Sequence, residues 1–143
     1  MELELRHQLC FALYSASRAV TALYRPLLDE LGLTYPQYLV MLVLWERDAR
    51  TVKELGSELR LDSGTLSPLL KRLEAADLLT RERSPEDERS VTVSLTTRGV
   101  ALREKAEEIP GRLFCGTDLA GDELAELRDT LTRLTDKIQR RNT

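Results

Sequence analysis

Leu66, Leu69, Leu70 and Leu73 stand three and four apart, the spacing of one helical face, and leave Thr65, Ser67, Lys71 and Arg72 on the other faces. Asp62 and Ser63 just ahead are N-cap types, so a helix is predicted to start there. A shorter helix precedes it, opened by Thr51 and Glu54 at capping-box spacing and carrying Leu55 and Leu59. After Leu78 the period falls to two: residues 80–84 and 90–95 alternate like strands, and Pro85-Glu86-Asp87-Glu88-Arg89 between them is a polar turn. Outside this stretch the helical period dominates. Residues 4–31 form a predicted first helix with a stripe of Leu9, Leu13, Ala16, Val20, Leu23 and Leu27, bent or restarted at Pro26 and ended by Gly32. Thr34 and Gln37 make a second capping box, with Pro36 in the first turn of a helix to about Arg47. The run 39–45 in that helix is so apolar that it must be deeply buried. Thr97 is expected to cap a helix to about Leu113, bent by Pro110 and Gly111. A last helix, 121–140, carries Leu124, Leu127, Leu131, Leu134 and Ile138.

Two short helices followed by a two-stranded ribbon are the parts of a winged helix in their DNA-binding order. The expected fold class is therefore mainly α with a small β-wing: a winged helix-turn-helix unit at 51–96, flanked by terminal dimerisation and sensing helices at 1–50 and 97–143. No repeat, low-complexity tract or linker divides the chain, so 1–143 reads as one domain. A recognition helix needs small hydroxyls and long cations near its N-terminal half, and Ser63, Thr65, Ser67 and Lys71 supply them, with Arg72 behind. On the ribbon, Arg81 is a further DNA-binding candidate, and Arg89 at the wing tip is placed for the minor groove. A helical hairpin plus β-hairpin without nucleic acid remains the plainer alternative, since fold alone does not establish function.

Composition narrows the partner. The chain has 143 residues, 42% hydrophobic and 31% charged, enough for a real core, and few aromatics. A net charge of −3 and a pI near 5.3 count against nonspecific polyanion binding, so any basic surface is local. The acids gather at Glu2 and Glu4, Asp29 and Glu30, 104–108 and 122–129, outside the predicted DNA unit. The acidic start Met1-Glu2-Leu3-Glu4 is unlike a signal peptide, and the apolar run 38–45 is too short to span a bilayer, so a cytoplasmic location without membrane contact is expected. In that reducing compartment Cys10 and Cys115 are either packing or redox chemistry rather than a permanent staple. The amphipathic outer helices need one another or a partner's copies. A homodimer would place two recognition helices about 34 Å apart on a pseudo-palindromic duplex operator, with a plain coiled coil as the alternative.

The run Leu61-Asp62-Ser63-Gly64-Thr65-Leu66-Ser67-Pro68-Leu69-Leu70-Lys71-Arg72-Leu73-Glu74, followed by Ser84-Pro85-Glu86-Asp87-Glu88-Arg89-Ser90-Val91, resembles the recognition helix and wing of the MarR family of dimeric winged-helix repressors. Leu9-Cys10-Phe11-Ala12-Leu13-Tyr14-Ser15, with Tyr24 and Thr34-Tyr35-Pro36-Gln37-Tyr38, is similar to the OhrR-type organic hydroperoxide sensors within it. The resemblance implies a repressor that holds its operator until Cys10 is oxidised by an organic hydroperoxide. It also implies that Tyr24 and Tyr35 of the other subunit contact the sulfur, and that Cys115 is the resolving thiol of the two-cysteine class, joining Cys10 of the partner in a disulfide.

A peroxide sensor needs a thiolate and hydrogen-bond donors to hold it, which tyrosine hydroxyls provide without a metal or cofactor. Tyr14 lies one helical turn from Cys10, whereas Tyr24, fourteen residues on, is roughly 21 Å away along a straight helix and is out of reach within one protomer. His7, one turn before Cys10, is either an influence on the thiol or simply an exposed polar residue. Packing alone remains the alternative for Cys10 and Cys115, and core packing is the preferred reading for Tyr38. Two rival functions stand beside the sensor. One is a MarR-type repressor induced non-covalently by a small aromatic ligand. The other is a thiol peroxidase, against which the absence of a second catalytic motif, a phosphate loop or a metal cluster argues for a regulator that is not an enzyme.

Overall fold

The helix predicted over 4–31 breaks at Gln8, whose backbone is extended (φ −88°, ψ 118°) and separates a 3₁₀ turn, Leu5–His7, from helix α1, Leu9–Asp29. The Glu4 carboxylate takes Arg6 at 2.8 Å, which ties the chain start to this turn rather than to a continuing helix. Cys10 therefore sits in the first turn of α1, not two turns inside. The computed structural model describes residues 3–142, so the expectations for Met1 and Glu2 lie outside the described residues. Pro26 is carried inside α1 without ending it. Termination comes at Gly32 (φ 71°), where the Leu33 N–H donates to the Leu28 carbonyl and closes a Schellman-type cap, as expected of glycine there.

Helix α2, Tyr35–Glu46, opens on the anticipated capping box: Gln37 N donates to Thr34 Oγ1 and Thr34 N to Gln37 Oε1. It is the core of its unit, with Tyr38, Val40, Met41, Val43, Leu44 and Trp45 buried, while Leu39 is half-buried and Leu42 exposed. Strand β1, Arg50–Thr51, was not predicted. It pairs antiparallel with β3, Val91–Leu95, which also pairs with β2, Leu79–Arg83, giving the order β1-β3-β2. Between β1 and β2 lie α3, Val52–Leu59, and α4, Ser63–Ala75. Thr51 caps α3, but the Glu54 carboxylate pairs with Arg47 at 3.0 Å instead of completing the box. The cap of the next helix, α5, Thr97–Ala106, is Thr96 rather than Thr97: its hydroxyl accepts from Gly99 N and donates to the Asp77 carbonyl.

Gly99 shows why α5 lies where it does. A Cβ there would drive into the Leu78 carbonyl, and the close approach lets Trp45 Nε1 donate to the Gly99 carbonyl at 2.9 Å. Gly99→Ala should therefore cost at least about 2 kcal/mol by overpacking, read as a lowered midpoint in urea.

The predicted helix to Leu113 is two helices. After Ala106 the chain enters α6, Ile109–Thr117, with Pro110 in its first turn, where a missing N–H costs nothing. Helix α7 follows, Gly121–Arg141. The chain forms two compact units, Met1–Glu108 and Ile109–Thr143. In the second, α7 has no buried residue, and Leu127 and Ile138 are each 52% exposed.

Candidate DNA interface and thiol site

Helix α4 begins at Asp62, whose carboxylate accepts from Thr65 N at 2.7 Å. That backbone hydrogen bond, with a second from the Thr65 side chain, holds the Asp62 carboxyl below the usual carboxylate range, so the cap is ionised at neutral pH. The turn before it is closed by Arg60 in the left-handed region (φ 56°) and by Leu61 N donating to the Gly56 carbonyl. Leu66, Leu69, Leu70 and Leu73 are all buried, each stabilising the unit by about 1.5–3 kcal/mol. This anchoring turns Ser63, Thr65, Ser67, Lys71 and Arg72 to the exposed side. One face of α4 is thus bolted to the core and the other presents hydroxyls and cations.

The ribbon leaves β2 at Arg83 and returns at Val91 through a turn closed by Ser84 N donating to the Ser90 carbonyl. Arg89 N donates to Asp87 Oδ1, which places an exposed Arg89 at the tip. Arg81 is different. Its Nη2 and its backbone N both donate to the Glu74 carboxylate, at 3.1 and 3.0 Å, and its half-buried guanidinium stitches the last turn of α4 to the wing. The Arg81 contacts hold the Glu74 carboxyl low. In the free protein Arg81 is thus a brace between α4 and the ribbon. Sequence reasoning missed Glu74 because the pair joins a helix to a strand and follows no periodic spacing. It also missed Arg50, a buried residue of β1 whose Nε donates to the Arg47 carbonyl and whose Nη1 lies 3.5 Å from Glu58.

Cys10 is exposed in the first turn of α1, beside Leu9 (63% exposed) and Phe11. His7 is exposed, with Nδ1 3.7 Å from Glu4 Oε2. Tyr14, 60% exposed, carries the Arg18 guanidinium over its ring at 5.4 Å. Tyr24 lies far along α1 and packs against Tyr35 and Tyr38, with ring centroids 4.9 and 5.8 Å away. Tyr38 is buried and continues to Trp45, in line with core packing, whereas Tyr24 and Tyr35 are half-buried. Desolvation, reinforced by Tyr35 and Tyr38, pushes the Tyr24 phenol up to about 12, and burial raises Tyr35 and Tyr38 as well. All three are therefore neutral donors across the physiological range. Their folded values lie above the unfolded phenol value near 10, so their contribution is complete below pH 10 and is lost as pH rises beyond it, for Tyr24 towards about 12. Stability measured by urea unfolding should accordingly fall across that alkaline window, and a Tyr24→Phe variant should fall less.

The structure brings Tyr24 and Tyr35 together but separates them from Cys10 by the length of continuous α1, roughly 21 Å at ~1.5 Å per residue. Cys115 is exposed on α6, next to a Phe114 that packs near Gly121. Among the described residues no group of His, Cys, Asp or Glu is arranged to hold a metal, and no helix is long and apolar enough to cross a membrane.

Residues 22–109 match the family described as transcriptional regulator SarA/Rot. The organic hydroperoxide resistance transcriptional regulator of Bacillus subtilis (strain 168) is 50% identical over 140 residues, covering 98% of this chain and 95% of the relative. Among solved structures, reduced AbfR bound to DNA superposes with a TM-score of 0.79 at 36% identity, covering 94% of this chain and 93% of that one. Disulfide-formed AbfR gives 0.67 at 38%, covering 92% of each; AbfR is a protein of Staphylococcus epidermidis. With a capped, core-anchored α4 and a braced wing, and with these relatives, the chain belongs to the SarA/Rot/MarR-type winged-helix regulators: it is a DNA-binding transcriptional regulator of the MarR/OhrR type and not an enzyme.

Proposed function

We propose that the protein is a homodimeric cytoplasmic repressor that releases a pseudo-palindromic operator when organic hydroperoxides oxidise Cys10. The observation that carries this reading is the separation within one protomer of an exposed thiol from a cluster of neutral phenol donors at the far end of the same helix. An antiparallel pairing of α1 with its copy would bring Tyr24 and Tyr35 of the partner subunit to Cys10. It would also cover Leu9, Phe11, Val20 and Leu23, which a single chain leaves exposed. On the DNA side, Ser63, Thr65, Ser67, Lys71 and Arg72 line the major groove, Arg89 enters the minor groove, and Arg81 supports the wing.

The chemistry balances with a peroxide and two thiols. The Cys10 thiolate attacks the outer peroxide oxygen, the O–O bond breaks, and the alkoxide leaves and is protonated to an alcohol, with the partner's phenols stabilising the charge. Cys10 is left as sulfenic acid. The thiolate of Cys115 from the other subunit then attacks that sulfur, a disulfide forms, and the oxygen departs as water. Two electrons pass from the thiol pair to the peroxide, and a thiol reductant restores the resting state. The relative named for organic hydroperoxide resistance and the disulfide-formed state of AbfR support this sequence of events. Leu9 and Phe11 with the tyrosine rings give the site an apolar wall, so bulky peroxides should outperform hydrogen peroxide.

The test is operator binding before and after one equivalent of cumene hydroperoxide per Cys10, followed by dithiothreitol. Release on oxidation and rebinding on reduction are expected. Unchanged binding after the thiol has demonstrably been oxidised would overturn the reading, and release only by an unreactive aromatic ligand would favour a non-covalent inducer.

A further inference from the structure

Helix α4 contains the two residues that weaken a helix most, Gly64 and Pro68, and both lie on its exposed side. Gly56 and Gly99 have steric reasons: a Cβ would press on the Leu61 or the Leu78 carbonyl. At Gly64 a Cβ would meet only Asp62 Oδ1 at 3.6 Å, an ordinary contact, and its φ is not in the left-handed region. Pro68 forfeits the amide that would have bonded to the Gly64 carbonyl. Both residues are exposed, and at i and i+4 they share one face. Departures from local helix rules without a folding reason mark places where function sets the residue.

The chemistry of that face identifies the function. Ser63, Thr65, Ser67 and Lys71 around it offer hydrogen bonds and charge, whereas Gly64 and Pro68 offer a bare Cα and a pyrrolidine ring: a shallow apolar notch with no side-chain donor or acceptor. The apolar feature on a major-groove floor is the C5-methyl of thymine. We infer that the Gly64 and Pro68 notch receives a thymine methyl in each operator half-site, making these two residues determinants of sequence specificity. The inference rests on the reading that α4 enters the major groove.

The experiment uses the full-length reduced protein and a duplex selected from randomised DNA. Each thymine is replaced in turn by deoxyuridine, which removes only the methyl, and affinities are measured at one fixed salt concentration. One thymine per half-site should cost about fourfold when its methyl is removed, the worth of one buried methyl. Gly64→Ala should bind the parent duplex at least tenfold more weakly and lose sensitivity to that deoxyuridine. Its melting temperature should nevertheless rise by roughly 1–4 °C, because alanine suits a helix better. Pro68→Ala provides a second variant, expected to show the same loss of methyl sensitivity. Methyl-insensitive binding at every thymine, or a sensitivity that survives both substitutions, would overturn the inference. If that happens while Lys71→Ala still loses affinity, only the notch is wrong. If Lys71→Ala also binds as wild type, the placement of α4 in the groove falls with it.

Discussion

A Cys10→Ser protein is expected to stay on its operator at cumene hydroperoxide doses that release the wild type, a difference of at least tenfold in affinity, or about 1.4 kcal/mol, after oxidation. The reasoning begins with position. Cys10 is exposed in the first turn of α1, open to an incoming peroxide, and serine preserves the size while removing the nucleophile. Operator affinity before peroxide should be unchanged, because Cys10 and α4 lie on separate elements of the fold. Oxidation acts at a distance only by biasing two arrangements of the DNA units. The bias comes from the bond itself: disulfide formation demands Cα atoms within about 7 Å, and an interface whose resting separation is larger must move to satisfy it. Full peroxide release by Cys10→Ser would remove the thiol from the mechanism.

Arg89→Ala is expected to weaken operator binding by more than tenfold and to flatten its salt dependence. Two wing tips per dimer each withdraw one cation, so the slope of log K against log salt should fall by about two. The free structure holds Arg89 exposed at the tip, whereas Arg81 is committed to Glu74. Arg81→Ala should consequently behave differently: it loosens the brace between α4 and the wing, so affinity and thermal stability decline together, and Glu74→Ala should reproduce the effect. Unaltered affinity and salt slope in Arg89→Ala would take the wing tip out of the interface.

The elements legible in the sequence are those carried by period or by cap chemistry. The four leucines of α4, the Thr34 and Gln37 box and the Gly32 stop all appear where their spacing and residue types require. What was not legible depends on tertiary partners. Strand β1 is two residues long and carries no period, being defined by its pairing with Val93 and Thr92. Thr96 rather than Thr97 caps α5 because the Asp77 carbonyl is there to receive its hydroxyl. The first helix breaks at Gln8 through backbone conformation, with no breaker residue to announce it. At the thiol site the two tyrosines were named from a resemblance, yet their meeting depends on the turn at Gly32 folding α2 back beside α1, which no local pattern encodes.

If two copies of the chain together build one thiol switch, non-reducing electrophoresis with peptide mapping reads it out. After one equivalent of cumene hydroperoxide per Cys10, the wild type should run as a covalent dimer whose linked peptides contain Cys10 and Cys115, collapsing to monomer with dithiothreitol. Cys115→Ser should leave Cys10 as sulfenic acid and give no such dimer. A treated wild type that runs only as monomer, with Cys115→Ser releasing and regaining DNA as reversibly as the parent, would contradict the account.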